Sequence, residues 1–201
     1  MANYADFQIG LYFAGLAGEL PPYPLTFAGL EAAAREKMEP RLWDYVAGGA
    51  GDEHTQRGNV EAFGRWGIVP RMLAGAAERD LSVDLLGHHL PTPLLMSPIG
   101  VVGVMTDDEH GDVATAAAAA ASGVPMVAST LMQDPMEDVA AALGDTPGFF
   151  QLYTPNDREV AESLVHRAEA AGYAGIVVTL DTWTLGYRPR DLQHATFPQL
   201  R

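Results

Sequence analysis

Residues 149–181 read FFQLYTPNDREVAESLVHRAEAAGYAGIVVTLD, and their order decides the fold. The apolar run Phe149–Leu152 gives way to Tyr153 and a turn around Pro155. Asn156-Asp157-Arg158-Glu159 then offers a capping box for a helix that Gly172 closes. A second apolar run, Ile176–Leu180, follows and carries Thr179 with Asp181 at its end. Strand, helix, strand over so short a span is a βαβ unit, and such units build a parallel sheet.

Working outward, two earlier apolar runs, Leu94–Met96 and Val124–Ala128, bring the total to four, spaced about 25 to 30 residues apart. Asp107 is expected to cap the alanine-rich helix that Gly123 ends, with Asp107-Asp108-Glu109 favoured at its start by the helix dipole. Asp134-Pro135-Met136-Glu137 reads as a capping box with Pro at the first helical position, and Gly144 ends that helix. A doubly wound sheet and a (β/α)8 barrel both suit this alternation. The strand ends favour the barrel. Ser97-Pro98-Ile99-Gly100, Ser129-Thr130, Gln151 with Tyr153, and Thr179 with Asp181 are polar or conformationally special, and barrels draw site residues from successive strand ends. Gly100-Val101-Val102-Gly103 lacks the third glycine of a dinucleotide fingerprint.

A closed barrel needs about 250 residues. The chain has 201, and its first 90 read as a preamble. Pro21-Pro22-Tyr23-Pro24 blocks helix, Phe27–Lys37 is periodic, and a short helix restarted by Pro40 stops at Gly48-Gly49. Arg79–Leu90 alternates as a hairpin does. The expected fold is therefore α/β, the amino-terminal half of a (β/α)8 TIM barrel. Residues 1–90 form a helical and hairpin preamble, and residues 91–201 supply the first four strands and three helices.

Composition narrows the function. The 48% hydrophobic content supplies a core, and the absence of cysteine excludes disulfides, thiolate metal sites and cysteine nucleophiles. A formal charge of −14 opposes nucleic-acid and anionic-membrane partners. The lone lysine is Lys37, so lysine chemistry from the strand ends is excluded. No secretory leader or spanning run is read, which predicts a soluble, cytoplasmic protein.

Tyr45-Val46-Ala47-Gly48-Gly49-Ala50-Gly51-Asp52-Glu53 and Pro70-Arg71-Met72-Leu73 resemble the amino-terminal signature of the FMN-dependent α-hydroxy-acid dehydrogenase family. Ser97-Pro98-Ile99-Gly100, Phe150-Gln151-Leu152-Tyr153, Thr179-Leu180-Asp181-Thr182 and Arg188-Pro189-Arg190-Asp191 follow in the family's order. Gly51–Gln56, Asp181–Trp183 and Arg188–Leu192 resemble the lactate 2-monooxygenase branch, as does glycine at 100. The resemblance implies FMN at the barrel mouth and oxidation of a small L-2-hydroxy acid, L-lactate above all, with O2 as co-substrate. The monooxygenase outcome gives acetate, CO2 and water. An oxidase releasing peroxide, or a non-catalytic half-barrel that assembles with a carboxyl-terminal chain or as a homo-oligomer, are the alternatives.

Carried over position by position, the resemblance puts Pro98, Ile99 and Gly100 against the flavin, and has Ser129, Gln151 and Thr179 hydrogen-bond its ring. Each of these polar residues alone is as well explained by backbone partners, but three at equivalent strand ends favour a ligand. Tyr45, Tyr153 and Arg188 would meet the substrate, whose carboxylate suits a guanidinium. Without the family, a helical tyrosine like Tyr45 is more often core, and Arg188 an ordinary surface group. Asp181 would orient a catalytic histidine, although an Asp after a strand is equally a helix cap. None of the six histidines stands in the family's motif for that base, and His88-His89 lacks a third metal ligand. The family's base, flavin-side lysine and glycine-rich phosphate strands belong to its later half, so the 201-residue chain alone is expected to be inert.

Overall fold

The computed structural model describes residues 6–75 and 80–195. In chain order come α1 (Asp6–Leu16), α2 (Phe27–Lys37), α3 (Pro40–Ala47), α4 (His54–Phe63), β1 (Val83–Leu85) and β2 (His88–Leu90). A 3-10 turn at Val102–Met105 precedes α5 (Gly111–Ser122), β3 (Met126–Ala128), α6 (Met136–Leu143), β4 (Gly148–Leu152), α7 (Arg158–Ala170), β5 (Gly175–Val178) and α8 (Pro189–Leu192). Among the described residues these elements group into two compact units, residues 6–52 with 188–195, and residues 53–75 with 80–187. Arg79, at the start of the expected hairpin, and the Phe197–Arg201 terminus lie outside the described residues.

The second unit carries the parallel sheet. β3, β4 and β5 lie side by side in sequence order, with Met126 opposite Gly148 and Phe149 opposite Gly175. The first expected strand, Leu94–Met96, contributes a single parallel bridge from Met96 to Met126, closed by Met96 N–H to Pro125 O at 2.8 Å and Val127 N–H to Met96 O at 2.9 Å. Pro91, Pro93 and Pro98 flank that run and cannot donate to a ladder, which keeps it short. β3 and β4 are buried throughout, whereas Val177 and Val178 of β5 are about half exposed.

Helices cover the sheet through small apolar residues. Ala116 and Ala119 of α5 pack with Met126, Ala128, Val139 and Leu143, and Phe150 and Leu152 pack with Met136 and Ala168. Alanine at the contact lets α5 approach the sheet closely and is also the best helix former. In the hairpin, β1 and β2 pair antiparallel through a two-residue turn, Leu86-Gly87, with φ of 50° and 86°. Two positive φ values match strand twist, and glycine adopts one of them freely.

Three helix starts depart from the sequence reading. α5 begins at Gly111, because the 3-10 turn and a left-handed Glu109 (φ 64°) occupy the segment that Asp107 was expected to cap. α6 begins at Met136 with Pro135 in the cap position, and Asp134 does not cap it. Asp134 instead accepts from Val113 N–H of α5 at 3.0 Å, while Asp112 of α5 accepts from Gln133 N–H at 2.9 Å. Each carboxylate thus serves the start of the neighbouring element, tying two βα units together. At α7, Asp157 rather than Asn156 is the cap, accepting from Glu159 and Val160 N–H. Helices α1 and α4 were not foreseen. α1 is apolar on all sides, and α4 contains Gly58 and Asn59, so neither shows a clear amphipathic period. Among the described residues no helix is long and apolar enough to cross a membrane.

Candidate active site

The carboxyl ends of the three parallel strands converge on one buried amide, Gln151. It is the fourth residue of β4 and points within the sheet layer, where 2% of its surface is exposed. Its Oε1 accepts from Thr130 N–H at 3.1 Å and Ser129 hydroxyl at 3.4 Å, and its Nε2 donates to Thr179 Oγ1 at 2.7 Å. Ser129 and Thr179 follow β3 and β5, so the hub links three adjacent strand ends. Thr130 fastens the next step: its hydroxyl donates to Gln151 O at 2.5 Å and accepts from Tyr153 N–H at 2.9 Å.

The hub is not saturated. An amide carries two N–H donors and a hydroxyl one O–H. After the bonds above, Gln151 keeps one N–H and Thr179 keeps its O–H without a partner among the described residues. Beside them opens a cleft of about 310 Å³, lined by Leu131, Tyr153, Thr154, Thr179, Thr182, Trp183 and Leu185. A largely apolar cleft with a few donors suits a planar ring bearing carbonyl oxygens and ring nitrogens, which is the chemistry of a flavin. The residues present therefore fit the ring portion of FMN.

Of the residues expected against that ring, Pro98 and Ile99 are exposed in the loop after Met96, and Gly100 is half-buried. A methyl group on Gly100 would stand 3.1 Å from Leu131 Cβ and 3.5 Å from Ser129 Oγ. Val101 N–H closes the same approach by donating to Leu131 O at 2.9 Å. A side chain at 100 would thus press on its neighbour Leu131, a cleft residue. Asp181 lies exposed in the loop after β5, and its carboxylate has no partner among the described residues. Leu131, Thr154, Thr182, Trp183 and Leu185 were not singled out as site residues. Their signal was position alone: each lies two to seven residues beyond a strand end.

Tyr45 and Arg188 belong to the other unit, and there they meet each other. The Arg188 guanidinium lies 5.1 Å from the centre of the Tyr45 ring. Its Nη2 donates to Tyr45 O and, at 3.1 Å, to Gly48 O, the carbonyls at the end of α3. A cation there answers the unsatisfied carbonyls and the negative end of the helix dipole. Arg188 Nε is buried with no partner, so one donor of the fork remains unspent. Next to Tyr45, Asp44 accepts from Arg190 and pairs with His194, and these two partners, His194 first, hold its carboxyl below the ordinary value.

Comparison with known proteins places the chain in a family. The family of FMN-dependent dehydrogenases matches residues 34–201. An FMN-dependent alpha-hydroxy acid dehydrogenase of Penicillium citrinum is 38% identical over 197 residues, 98% of this chain and 48% of its own length. An L-lactate oxidase of Lysinibacillus sphaericus is 40% identical over 177 residues, 88% of this chain and 45% of its own. Among solved structures, a protein assigned as a lactate oxidase from Pediococcus acidilactici superposes with a TM-score of 0.83 at 34% identity, covering 91% of this chain and 50% of that one. A soluble mutant of (S)-mandelate dehydrogenase from Pseudomonas putida gives 0.77 at 34%, covering 84% and 47%. The chain spans about half the length of the relatives it matches. Its α/β fold is that of half of a barrel flavoprotein. With the family matched across most of its length, this chain belongs to the FMN-dependent dehydrogenases.

Proposed function

We propose that the chain forms the flavin-ring side and part of the substrate side of an enzyme that oxidises a small L-2-hydroxy acid, L-lactate first, with O2 as the second substrate. FMN, when bound, accepts the α-hydrogen and two electrons of the substrate. Pro98, Ile99 and Gly100 line the ring, and Ser129, Gln151 and Thr179 fix its orientation by hydrogen bonds. Tyr45, Tyr153 and Arg188 hold the carboxylate and hydroxyl, and Asp181 orients a histidine supplied by the rest of the barrel. The observation that carries this reading is the Gln151 hub, with its two unspent donors beside an apolar cleft at the ends of parallel strands.

In this reading residues 1–90 are a preamble and 91–201 the first half of the barrel. The location is cytoplasmic, and the outcome is that of a monooxygenase, lactate and O2 giving acetate, CO2 and water. Glycine at 100 and the Asp181–Trp183 and Arg188–Leu192 sequences favour that branch over a peroxide-releasing oxidase. The 201-residue chain by itself does not turn over, since no histidine in it matches the base, and losing a general base costs about 10²- to 10⁴-fold. The half-exposed β5 favours a second feature of the reading: that edge receives further strands, from the same polypeptide or from a second chain.

The test is the absorbance spectrum of FMN with the chain alone and with the whole flavoprotein, before and after anaerobic L-lactate, followed by product analysis in air. Bleaching by the whole protein only, with acetate and CO2 as products, is expected. Bleaching by the chain alone would refute its inertness, and pyruvate with peroxide would refute the monooxygenase outcome.

A further inference from the structure

We propose that Asp44 is a positioning residue for the substrate side of the site. Through Arg190 and His194 it fastens α3 to the α8 segment, and so sets the places of Tyr45 and Arg188. The inference rests on the reading above that those two residues meet the substrate.

Both Asp44 oxygens are engaged from the same distant stretch of chain. Oδ1 accepts from Arg190 Nε at 3.0 Å and Nη2 at 2.7 Å, and Oδ2 lies 2.8 Å from His194 Nε2. The three side chains are about one-third exposed, so water screens the cluster only in part. Asp44 is the residue before Tyr45 in α3, and Arg190 lies two residues after Arg188. The anchor therefore sits beside each member of the Tyr45–Arg188 pair without belonging to it.

A second layer of contact runs through the backbone. Gly48, at the end of α3, has its N–H on Asp44 O at 3.0 Å. A Cβ there would fall 2.4 Å from Asp44 O and 3.4 Å from Arg190 Cβ. The absence of a side chain at 48 keeps the Asp44 carbonyl clear, while the stem of Arg190 packs at van der Waals distance. Arg188 then reaches the carbonyls of Tyr45 and Gly48 from the same segment. Charged groups and helix-end carbonyls thus fix one geometry, in which the Tyr45 ring and the Arg188 guanidinium face each other at 5.1 Å. Arginine suits this anchor better than lysine, because its fork keeps two donors on one oxygen.

The experiment uses the FMN-loaded flavoprotein that contains this chain, comparing wild type with Asp44→Asn and Arg190→Lys. Expected for Asp44→Asn is a roughly tenfold rise in KM for L-lactate, with kcat changed less than about threefold. Oxalate, an unreactive dicarboxylate probe, should weaken by the same factor, and flavin content should stay unchanged. Arg190→Lys, which keeps the charge and loses the fork, should fall between the two. Hydrogen exchange at the Tyr45–Gly49 amides, measured with and without oxalate, supplies the readout independent of turnover, and should speed up in Asp44→Asn. A lowered melting temperature with KM and oxalate binding unchanged would overturn the proposal, leaving Asp44 merely structural. Unchanged amide exchange would overturn it as well. If wild type itself shows no lactate-dependent bleaching, the functional reading fails. The anchor is then judged by the exchange experiment alone.

Discussion

Replacing Gln151 by methionine keeps the volume of the side chain and removes its polarity. Three hydrogen bonds disappear: those from Thr130 N–H and Ser129 hydroxyl, and that to Thr179 Oγ1. Thr179 is half-buried on the cleft wall, where water can replace the lost donor. The Ser129 hydroxyl is buried, and the Thr130 N–H is partly so, and neither finds a substitute acceptor. A stranded buried donor costs about 1–3 kcal/mol. The Ser129 contact is long at 3.4 Å and counts towards the low end. Together the loss is about 3 kcal/mol, which for a chain of this size lowers the melting temperature by roughly 6–12 °C. Thr179→Val takes the acceptor from a single Gln151 N–H and should cost about a third as much. Thermal unfolding followed by far-UV circular dichroism measures both. In the flavoprotein, the methionine variant should also bind FMN roughly tenfold more weakly, one hydrogen bond's worth, read by flavin fluorescence. A melting shift below about 2 °C for Gln151→Met, or equal shifts for the two variants, would refute the hub.

Four further outcomes follow from the same structure. Asp157→Ala removes the side-chain cap of α7 and should cost about 1 kcal/mol in urea unfolding, whereas Asn156→Ala should cost next to nothing. Gly100→Ala should press on Leu131 and reduce the cleft; a crystal structure with Leu131 unmoved would refute the close approach. The His110–Asp134 contact, 2.5 Å, makes stability depend on pH from both sides. The His110 pKa is raised above 6.5 by Asp134, so its contribution is full below that value and lost as pH rises through the raised one. Burial pushes Asp134 up, but the bonds from His110 and Val113 N–H outweigh it, so its contribution holds above 3.8 and is lost as pH falls through its lowered value. Wild type should therefore exceed His110→Gln most between about pH 4 and 6.5, and a pH-independent difference in urea midpoint would count against the contact. Last, Glu137→Gln breaks the exposed two-toothed bridge to Arg167 and should cost no more than about 1 kcal/mol in the same assay.

The sheet was legible in the sequence wherever a strand is buried on both faces. β3 reads as an unbroken apolar run and β4 as one interrupted only by Gln151, because no position along either faces water. Leu94–Met96 reads the same way yet pairs through one residue, since flanking prolines withhold donors that composition counts as neutral. The helix starts failed for a different reason. Asp134-Pro135 has the letters of a cap, but a carboxylate bonds whichever N–H the tertiary fold brings within 3 Å, and that N–H belongs to Val113 of the preceding helix. Local rules cannot see a partner 21 residues away. The same limit hid Asp44: an aspartate inside a short helix looks solvent-facing until residues 190 and 194 arrive from the far end of the chain.

The candidate site was legible to a different depth in its two parts. Ser129, Gln151 and Thr179 could be named because they occupy equivalent strand ends, and the fold then had to bring them near one another. What the strand pattern could not give is that they bond to each other first. Gln151 serves as both acceptor and donor, so its neighbours fix the orientation of its amide before any ligand arrives. That order has a consequence for binding. A ligand meeting preset donors pays less to order them than one meeting free rotors, and holding one such side chain in advance saves about 0.5–1.5 kcal/mol. Tyr45 and Arg188 follow the same logic by other means, the ring and guanidinium being set by helix-end carbonyls and, in our inference, by Asp44. In both places the candidate residues are held by hydrogen bonds or ion pairs with their neighbours. Changing those neighbours should therefore weaken binding before it slows chemistry.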